Sequence, residues 1–358
     1  MLREGLTVNE IVKLDASRPS REQLQEAYEL AKTVWDLALW EKMEERQVLT
    51  VHFADGREGV VSVMGEMGTH RAIAVYPSFA AYVRIRSADD GDEQSMLDVF
   101  FSTNHLQLAF EPAANLNDGE MRDIRASGVK FKRGMNPSFV SYVAGFADDR
   151  MGAAELTRYV AFLKAFLAFC DRHGTDAVSV NDGPNKLLTT WTEDASGNWT
   201  KGENDYSPMF PVGVTLDETL VEKVAALPVC DKEMCLEVAA FPLPTGRAPN
   251  GRGKMSRCVL AVEGATRFAM GFELVETPDD RELDWTPIVE FALKTMIKFE
   301  YRPTHLAAFG CGLHGVLKAL TNTRFRGTEF LPNCPCDSAR EVFGLIRARL
   351  GVSWPSIG

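Results

Sequence analysis

The sequence predicts an α+β protein of two domains: an acidic meander-plus-helices domain over residues 1–215, followed by a mixed-sheet α/β domain over residues 216–358. Three observations predict this organisation. A length of 358 residues is typical of two domains. The net charge is +1 over residues 226–358 and −12 over the rest. A proline-containing stretch over residues 207–232 also has the character of a linker.

The N-terminal half has clear local signals. Ser20 and Gln23 form a capping-box pair that predicts a helix to about Glu45. Alternation predicts strands over residues 47–53 and 59–64 around the Asp55-Gly56 turn. The further predicted elements are a strand at 70–76, a short helix after Pro77, a strand at 105–111, a helix from Asn117 to Gly128, a buried helix at 152–173 and a strand pair at 176–182 and 186–193. Trp35 is expected in the core, and a ligand-stacking role is the alternative for Trp35 and Trp40.

The C-terminal part follows a proline-containing stretch, residues 207–232, which includes a short amphipathic helix. The predicted order is β-β-β-α-β-α-β-α, with Thr286 as the cap of the first helix after the meander. The predicted bounds are 233–243, 257–263 and 267–276 for the strands, 286–300 for the helix, then 304–309, 313–321, 328–331 and 337–350. An antiparallel meander followed by this alternation places the fourth strand parallel to the first. This connectivity resembles the ribonuclease H-like fold.

Five segments of the sequence form a further pattern: Trp35 to Trp40, Val61 to Gly65, Ala74 to Tyr76, Leu106 to Phe131 and Arg302 to Leu331. This pattern resembles a group of uncharacterised bacterial two-domain proteins whose domains have unknown functions. The resemblance covers most of the chain, and it implies an architecture without implying a chemistry.

The ribonuclease H-like interpretation raises the question of a metal site. Nucleases of this fold need clustered carboxylates that hold two Mg²⁺ ions. The resemblance places Glu237 on the first strand, Glu290 on the first helix, and Asp337 or Glu341 on the last helix. The fourth strand ends in residues 309–312, which include no carboxylate. The acid set is therefore expected to be incomplete, and no metal or cofactor is expected.

Cys311 lies between two glycines at a predicted strand-to-helix turn, with His314 three residues later. A helix N-terminus lowers the pKa of a thiol, and a nearby histidine can act as its base. The pair therefore suggests a Cys311-based hydrolase. The favoured alternative is a small buried residue in a turn that glycine permits.

A loop over residues 246–254 is rich in glycine and basic residues but lacks the P-loop pattern. It suggests a site for a small anion or for RNA, and the favoured alternative is a solvated hairpin loop. The candidate anion-binding residues are Arg252, Lys254, Arg257, Arg324 and Arg326.

The chain has seven cysteines. Cys334 and Cys336 form a C-x-C pair, and Cys230 and Cys235 are separated by four residues, as in a zinc knuckle. The two pairs suggest a structural zinc site, and the favoured alternative is reduced thiols without a metal. No signal peptide and no membrane span are predicted, so reduced thiols and a cytoplasmic location are expected.

These observations favour a non-catalytic bacterial binding or regulatory protein, in which a degenerate ribonuclease H-like domain serves as a scaffold. Its expected partner is a protein or a small anionic ligand. The net charge of −11 argues against nucleic acid or membrane binding over the whole surface but leaves a local patch open in the C-terminal domain. The alternative is an enzyme, either a metal-dependent nuclease or the Cys311-based hydrolase.

Overall fold

The structure is a computed structural model. The structure describes residues 17–65, 68, 70–86, 103–132, 136–180, 187–205, 214–248, 251–276, 285–308, 311–332, 341–342, 344–345 and 348–349. The described chain contains both helices and strands, and its strands form two sheets, which we call sheet A and sheet B. The predicted α+β class is confirmed.

Sheet A contains, among the described residues, β1 (Gln47–His52), β2 (Glu58–Met64), β3 (Ala72–Tyr76), β4 (His105–Glu111), β5 (Asn136–Tyr142), β6 (Asp149–Arg150), β7 (Ser179–Val180), β8 (Leu187–Glu193) and β9 (Trp199–Asp205). Its strand order is β6-β5-β4-β3-β2-β1-β8-β9, with β7 also paired to β1. Strands β1 to β6 form an antiparallel meander. Strand β8 is parallel to β1, with Thr190 opposite Thr50.

Helices cover both faces of sheet A. They are α1 (Arg21–Leu37), α2 (Phe79–Arg86), α3 (Asp118–Ser127) and α4 (Ala153–His173). The larger core joins α1 and α4 to one face of the sheet through buried residues such as Tyr28 and Phe166, and α2 covers the other face with Phe79 and Tyr82. The predicted capping boxes of α1 and α3 are both formed, and Gly128 ends α3 in the left-handed conformation.

The structure corrects several predictions for this half. Helix α1 ends at Leu37, because Ala38 adopts a left-handed conformation with φ 47°. The turn lets Leu39 and Trp40 enter the core, where they are 2% and 4% exposed. Strands β5 and β9 were not predicted. Strands β7 and β8 both add to β1.

Sheet B consists, in the described part of the chain, of β10 (Val229–Arg247), β11 (Gly253–Glu263), β12 (Phe268–Glu276), β13 (Arg302–Ala308) and β14 (Glu329–Pro332). Its order is β12-β11-β10-β13-β14. Strands β10, β11 and β12 are antiparallel neighbours, while β13 is parallel to β10 and β14 is parallel to β13. The prediction of a mixed sheet with its fourth strand parallel to its first is confirmed.

The helices beside sheet B include α5 (Glu218–Ala225), α6 (Thr286–Phe299) and α7 (Cys311–Thr323). Their apolar residues share one core with one face of the sheet. The prediction that Thr286 caps α6 is wrong, because Trp285 holds the cap position and makes no side-chain cap bond. The Thr286 hydroxyl instead accepts a hydrogen bond from the Thr215 N–H at 3.4 Å. The described residues between 341 and 349 are helical, as predicted.

The two main cores share no residues, and the described chain passes from one to the other between Trp199 and Val214. The domain boundary at residue 215 stays a prediction. Within the described residues, no helix has the length and apolar character needed to cross a bilayer.

Candidate functional site

Glu237 lies on the central strand β10, and it is 1% exposed. Its neighbours Leu236 and Val238 belong to the core beneath α6. Because successive side chains of a strand point to opposite faces, Glu237 faces away from that core. Burial raises the pKa of the Cys258 thiol to about 12, and the nearby negative charge of Glu237 acts in the same direction. Glu237 therefore lies among buried groups on the face opposite α6.

The other candidate carboxylates lie elsewhere. Glu290 is on α6, and its Oε2 is 2.7 Å from Lys294 Nζ. Glu341 Oε2 is 2.6 Å from Arg267 Nη1. Asp337 lies outside the described residues. Within the described part of the chain, no three His, Cys, Asp or Glu residues are grouped so that they could hold a metal ion.

Helix α7 begins at Cys311, where the sequence predicts a strand-to-helix turn. The side chains of Cys311 and His314 lie outside the described residues. A nucleophile at this helix start therefore stays a prediction.

The basic loop is the tip of the hairpin formed by β10 and β11. Both strands extend further than predicted, to Arg247 and from Gly253. The Gly251 N–H donates to the Ala248 carbonyl at 2.8 Å, and Gly251 has φ +87°, a conformation that favours glycine. A hydrogen bond therefore joins the described residues on the two sides of the tip.

Arg252 reaches from this turn to the N-terminal half. Its Nε donates to the Ala147 carbonyl at 2.5 Å and its Nη1 donates to Ser141 Oγ at 3.3 Å, while Nη2 bonds the Ser141 carbonyl. Main-chain bonds lie alongside, from the Ala147 N–H to the Gly253 carbonyl at 2.9 Å and from the Met255 N–H to the Gly145 carbonyl at 2.8 Å. We call residues 141–147, 248 and 251–255 the hairpin contact.

The hairpin contact continues to helix α4. Ser141 Oγ donates to Glu155 Oε1 at 2.7 Å, and Glu155 Oε2 accepts the Gly152 N–H at 2.9 Å in the first turn of that helix. Burial lowers the pKa of Arg252, and the negative charge of Glu155 opposes this shift. Val143, Phe146 and Ala248 form a small apolar cluster in the same contact. The contact therefore combines a buried cation, main-chain bonds and apolar packing.

The remaining basic candidates have other neighbours. The Arg257 guanidinium lies 5.6 Å from the centre of the Trp285 ring, and the residue is 5% exposed. Arg324 forms an ion pair with Glu218 of α5. Arg326 is exposed, and Lys254 is half-buried within the hairpin contact. The structure thus gives Arg252, Arg257 and Arg324 different partners and does not gather the three around one anion site.

Four of the described cysteines, Cys170, Cys230, Cys235 and Cys258, form no disulfide with one another. Cys230 packs against the core of sheet B. Cys235 lies on the opposite face, between the core residues Met234 and Leu236, and its Sγ donates to Glu233 Oε1 at 3.0 Å. Cys230 and Cys235 therefore do not converge on one ion. Cys334 and Cys336 lie outside the described residues.

The arrangement of sheet A and its helices can be compared with known proteins. Residues 25–189 match DUF7309, a domain of unknown function. The match includes β1 to β7 and the start of β8. A search of curated proteins finds no match. Ser141 and Glu155 lie inside the DUF7309 match, whereas Arg252 lies outside it, so the hairpin contact joins the matched region to sheet B.

The DUF7309 region contains a buried histidine that sequence reasoning missed. His105 on β4 lies between Tyr76 and Tyr142, with ring centres 5.5 and 4.2 Å away. Its Nδ1 is 3.0 Å from the Thr103 carbonyl oxygen. Burial lowers the pKa of His105 to about 4. The signal in the sequence is its place at the start of an alternating strand, but alternation alone gives no sign of the two tyrosines.

The two tryptophans of the DUF7309 region pack together. Their rings are 5.3 Å apart, and each contacts Phe110 at 5.1 to 5.4 Å. The Arg71 guanidinium lies 5.5 Å from the Trp35 ring and 5.6 Å from the Trp40 ring. The core interpretation therefore fits Trp35 and Trp40, because the chain's own side chains occupy the positions beside their rings.

Proposed function

We propose that this protein is a non-catalytic bacterial binding or regulatory protein of the cytoplasm, whose C-terminal domain uses a ribonuclease H-like fold as a scaffold. The strand order and directions of sheet B support that fold. A fold does not by itself imply an activity, so the proposal depends on the positions of the carboxylates.

One observation carries the proposal: Glu237 and Glu290 lie on opposite sides of sheet B. Two-metal hydrolysis requires ligands that converge on ions about 4 Å apart. Layers packed on a sheet are separated by about 10 Å. A carboxylate on one face therefore cannot bind the same two metal ions as a carboxylate of the helix layer on the other face.

The hairpin contact supports a binding role. A buried arginine that bonds two main-chain carbonyls holds sheet B in a defined position beside the DUF7309 region. Surfaces from both halves can then form one binding platform, which suits a protein partner or a small anionic ligand.

The test is an incubation of the purified full chain with labelled RNA, DNA and hybrid duplexes in Mg²⁺ or Mn²⁺. The variants are Glu237→Gln and a matched control, Glu329→Gln, which changes an exposed carboxylate of the same sheet. We expect no cleavage by any of the three proteins. Cleavage by the wild type and by Glu329→Gln that is lost in Glu237→Gln would overturn the proposal.

The start of α7 at Cys311 favours a second candidate, the Cys311-based hydrolase. Its test is the rate of alkylation by iodoacetamide at pH 6, with Cys311→Ser as the reference, together with hydrolysis of an activated ester. Fast alkylation of Cys311 and ester turnover that is lost in Cys311→Ser would support the enzyme. An ordinary thiol rate without turnover would support the binding protein.

A further inference from the structure

The free edges of the two sheets differ in how they are protected. Exposed edge strands invite pairing with other chains, and proteins usually shorten them or place charges or proline there. Strand β6 consists of Asp149 and Arg150 alone, and the four-residue β14 ends at Pro332. Strand β9 carries charges at Lys201 and Glu203. These three edges are protected in the usual ways.

Strand β12 is the exception among the described edges. It is nine residues long. Six large hydrophobic side chains of the described residues are exposed, and three of them lie on β12: Phe268 at 57%, Phe272 at 46% and Leu274 at 41%. Near the start of the strand, Lys298 Nζ donates to the Met270 carbonyl at 3.4 Å. Residues 271–276 are therefore the part of the edge that can pair with another strand.

The two faces of this segment differ in chemistry. Phe272 is opposite Leu260 and Leu274 is opposite Cys258, so both exposed side chains lie beside buried residues of β11. Glu273 points to the other face, as does Gly271, whose missing side chain leaves room for the Phe291 ring. The segment has no basic residue, and it ends with a second exposed carboxylate, Glu276.

We propose that residues 271–276 of β12 bind an extended segment of another protein, which adds to sheet B as a further strand. In this mode the main-chain bonds give affinity and alternate side chains give specificity. A strand beside β12 places one set of side chains next to Phe272 and Leu274 and the other set next to Glu273. The partner segment therefore alternates apolar residues with lysine or arginine. This inference rests on the proposed binding function and names the class of its partner.

The charge of the edge decides against a second copy of this chain as the occupant. Two antiparallel β12 strands paired about Glu273 would place the Glu273 carboxylates of both copies opposite each other, without a basic residue on either strand. Like charges across paired strands destabilise the pairing, and opposite charges stabilise it. A basic segment removes the repulsion and adds an attraction at the same positions.

The test uses the full chain and two fluorescent seven-residue peptides, one alternating valine with lysine and one alternating valine with glutamate. Fluorescence anisotropy measures each Kd. The key variant is Glu273→Lys, and the matched control is Glu329→Lys, which reverses an exposed charge on the opposite edge strand β14. Circular dichroism melts of all variants verify that they are folded.

We expect the lysine peptide to bind the wild type and Glu329→Lys with similar Kd values. Glu273→Lys should weaken it about tenfold and should prefer the glutamate peptide. Equal binding of both peptides, no saturable binding, or equal effects of the two variants would refute the inference. So would a wild-type dimer in sedimentation that Phe272→Lys dissociates, since the edge would then serve a second copy.

The two proposals fail separately. Absence of peptide binding by a protein that cleaves no nucleic acid would remove the β12 site and leave the non-catalytic function standing. Nucleic acid cleavage that depends on Glu237 would remove the proposed function, whatever the peptides do.

Discussion

Replacing Arg252 with methionine tests the hairpin contact directly. Methionine keeps most of the apolar stem and removes the guanidinium, so the carbonyls of Ser141 and Ala147 and the Ser141 hydroxyl lose a donor. Each buried polar group without a partner costs about 1–3 kcal/mol. Relief from burying the charge offsets part of this cost. We therefore expect the contact to lose about 3 kcal/mol.

Hydrogen exchange measures this loss locally. The amides of Ala147 and Met255 donate across the hairpin contact, so they exchange only when it opens. A loss of about 3 kcal/mol corresponds to exchange that is faster by about 100-fold. Urea unfolding should show a lower midpoint for the same variant, by about 1–2 M for a typical slope.

The matched control is Arg247→Met. Arg247 belongs to the same hairpin, but it is exposed and donates within the turn, to the Gly251 carbonyl at 3.0 Å. A surface change of this kind alters stability by about 0.5 kcal/mol or less. If Arg252→Met and Arg247→Met gave the same exchange at Ala147 and Met255, the energetic role assigned to Arg252 would be wrong.

Three further outcomes are expected. Because folding lowers the pKa of His105 from 6.5 to about 4, its contribution to the stability is complete above pH 6.5 and is lost as the pH falls toward 4. The loss amounts to about 3 kcal/mol, measured as the pH dependence of unfolding of the wild type minus that of His105→Gln. Burial raises the pKa of both Cys170 and Cys258 to about 12, so these thiols should react slowly with a disulfide reagent at pH 8 in the native state; titration of unreduced protein in denaturant should find all seven cysteines of the sequence, and a reproducible shortfall would mean that a disulfide is present. Finally, Gly59→Ala should destabilise by about 1–3 kcal/mol in thermal unfolding, because the added carbon would lie 2.7 Å from the Phe162 ring. The control change Gly344→Ala, at a helical position with no atom within 4 Å, should not destabilise and should stabilise by up to about 1 kcal/mol.

Local signals in the sequence predicted the local structure well. The Ser20 and Asn117 caps formed as expected, since each involves side chains and amides within three residues. The order of sheet B was also predictable, because a meander followed by alternating helices and strands allows few arrangements.

Features that depend on distant partners were missed. Strand β9 carries lysine, glutamate and aspartate, and β5 begins with Asn136-Pro137, so neither has the composition of a typical strand. The basic residues of the hairpin suggested an anion site, but Arg252 instead bonds the main-chain oxygens of Ser141 and Ala147. Any residue offers such a carbonyl, so the sequence around position 141 gave no sign of the contact.

The parallel pairing of β8 with β1 has a consequence for synthesis of the chain. Thr50 can pair with Thr190 only after some 140 further residues have been synthesised, so the centre of sheet A is completed late. Contacts of such long separation form slowly, and they leave the edge of β1 uncovered while the ribosome makes the intervening helices. The DUF7309 match ends at residue 189, within β8. A fragment cut there would lose Trp191 and the residues of β8 that close the sheet, whereas a fragment ending at Asp205 would retain every described strand of sheet A.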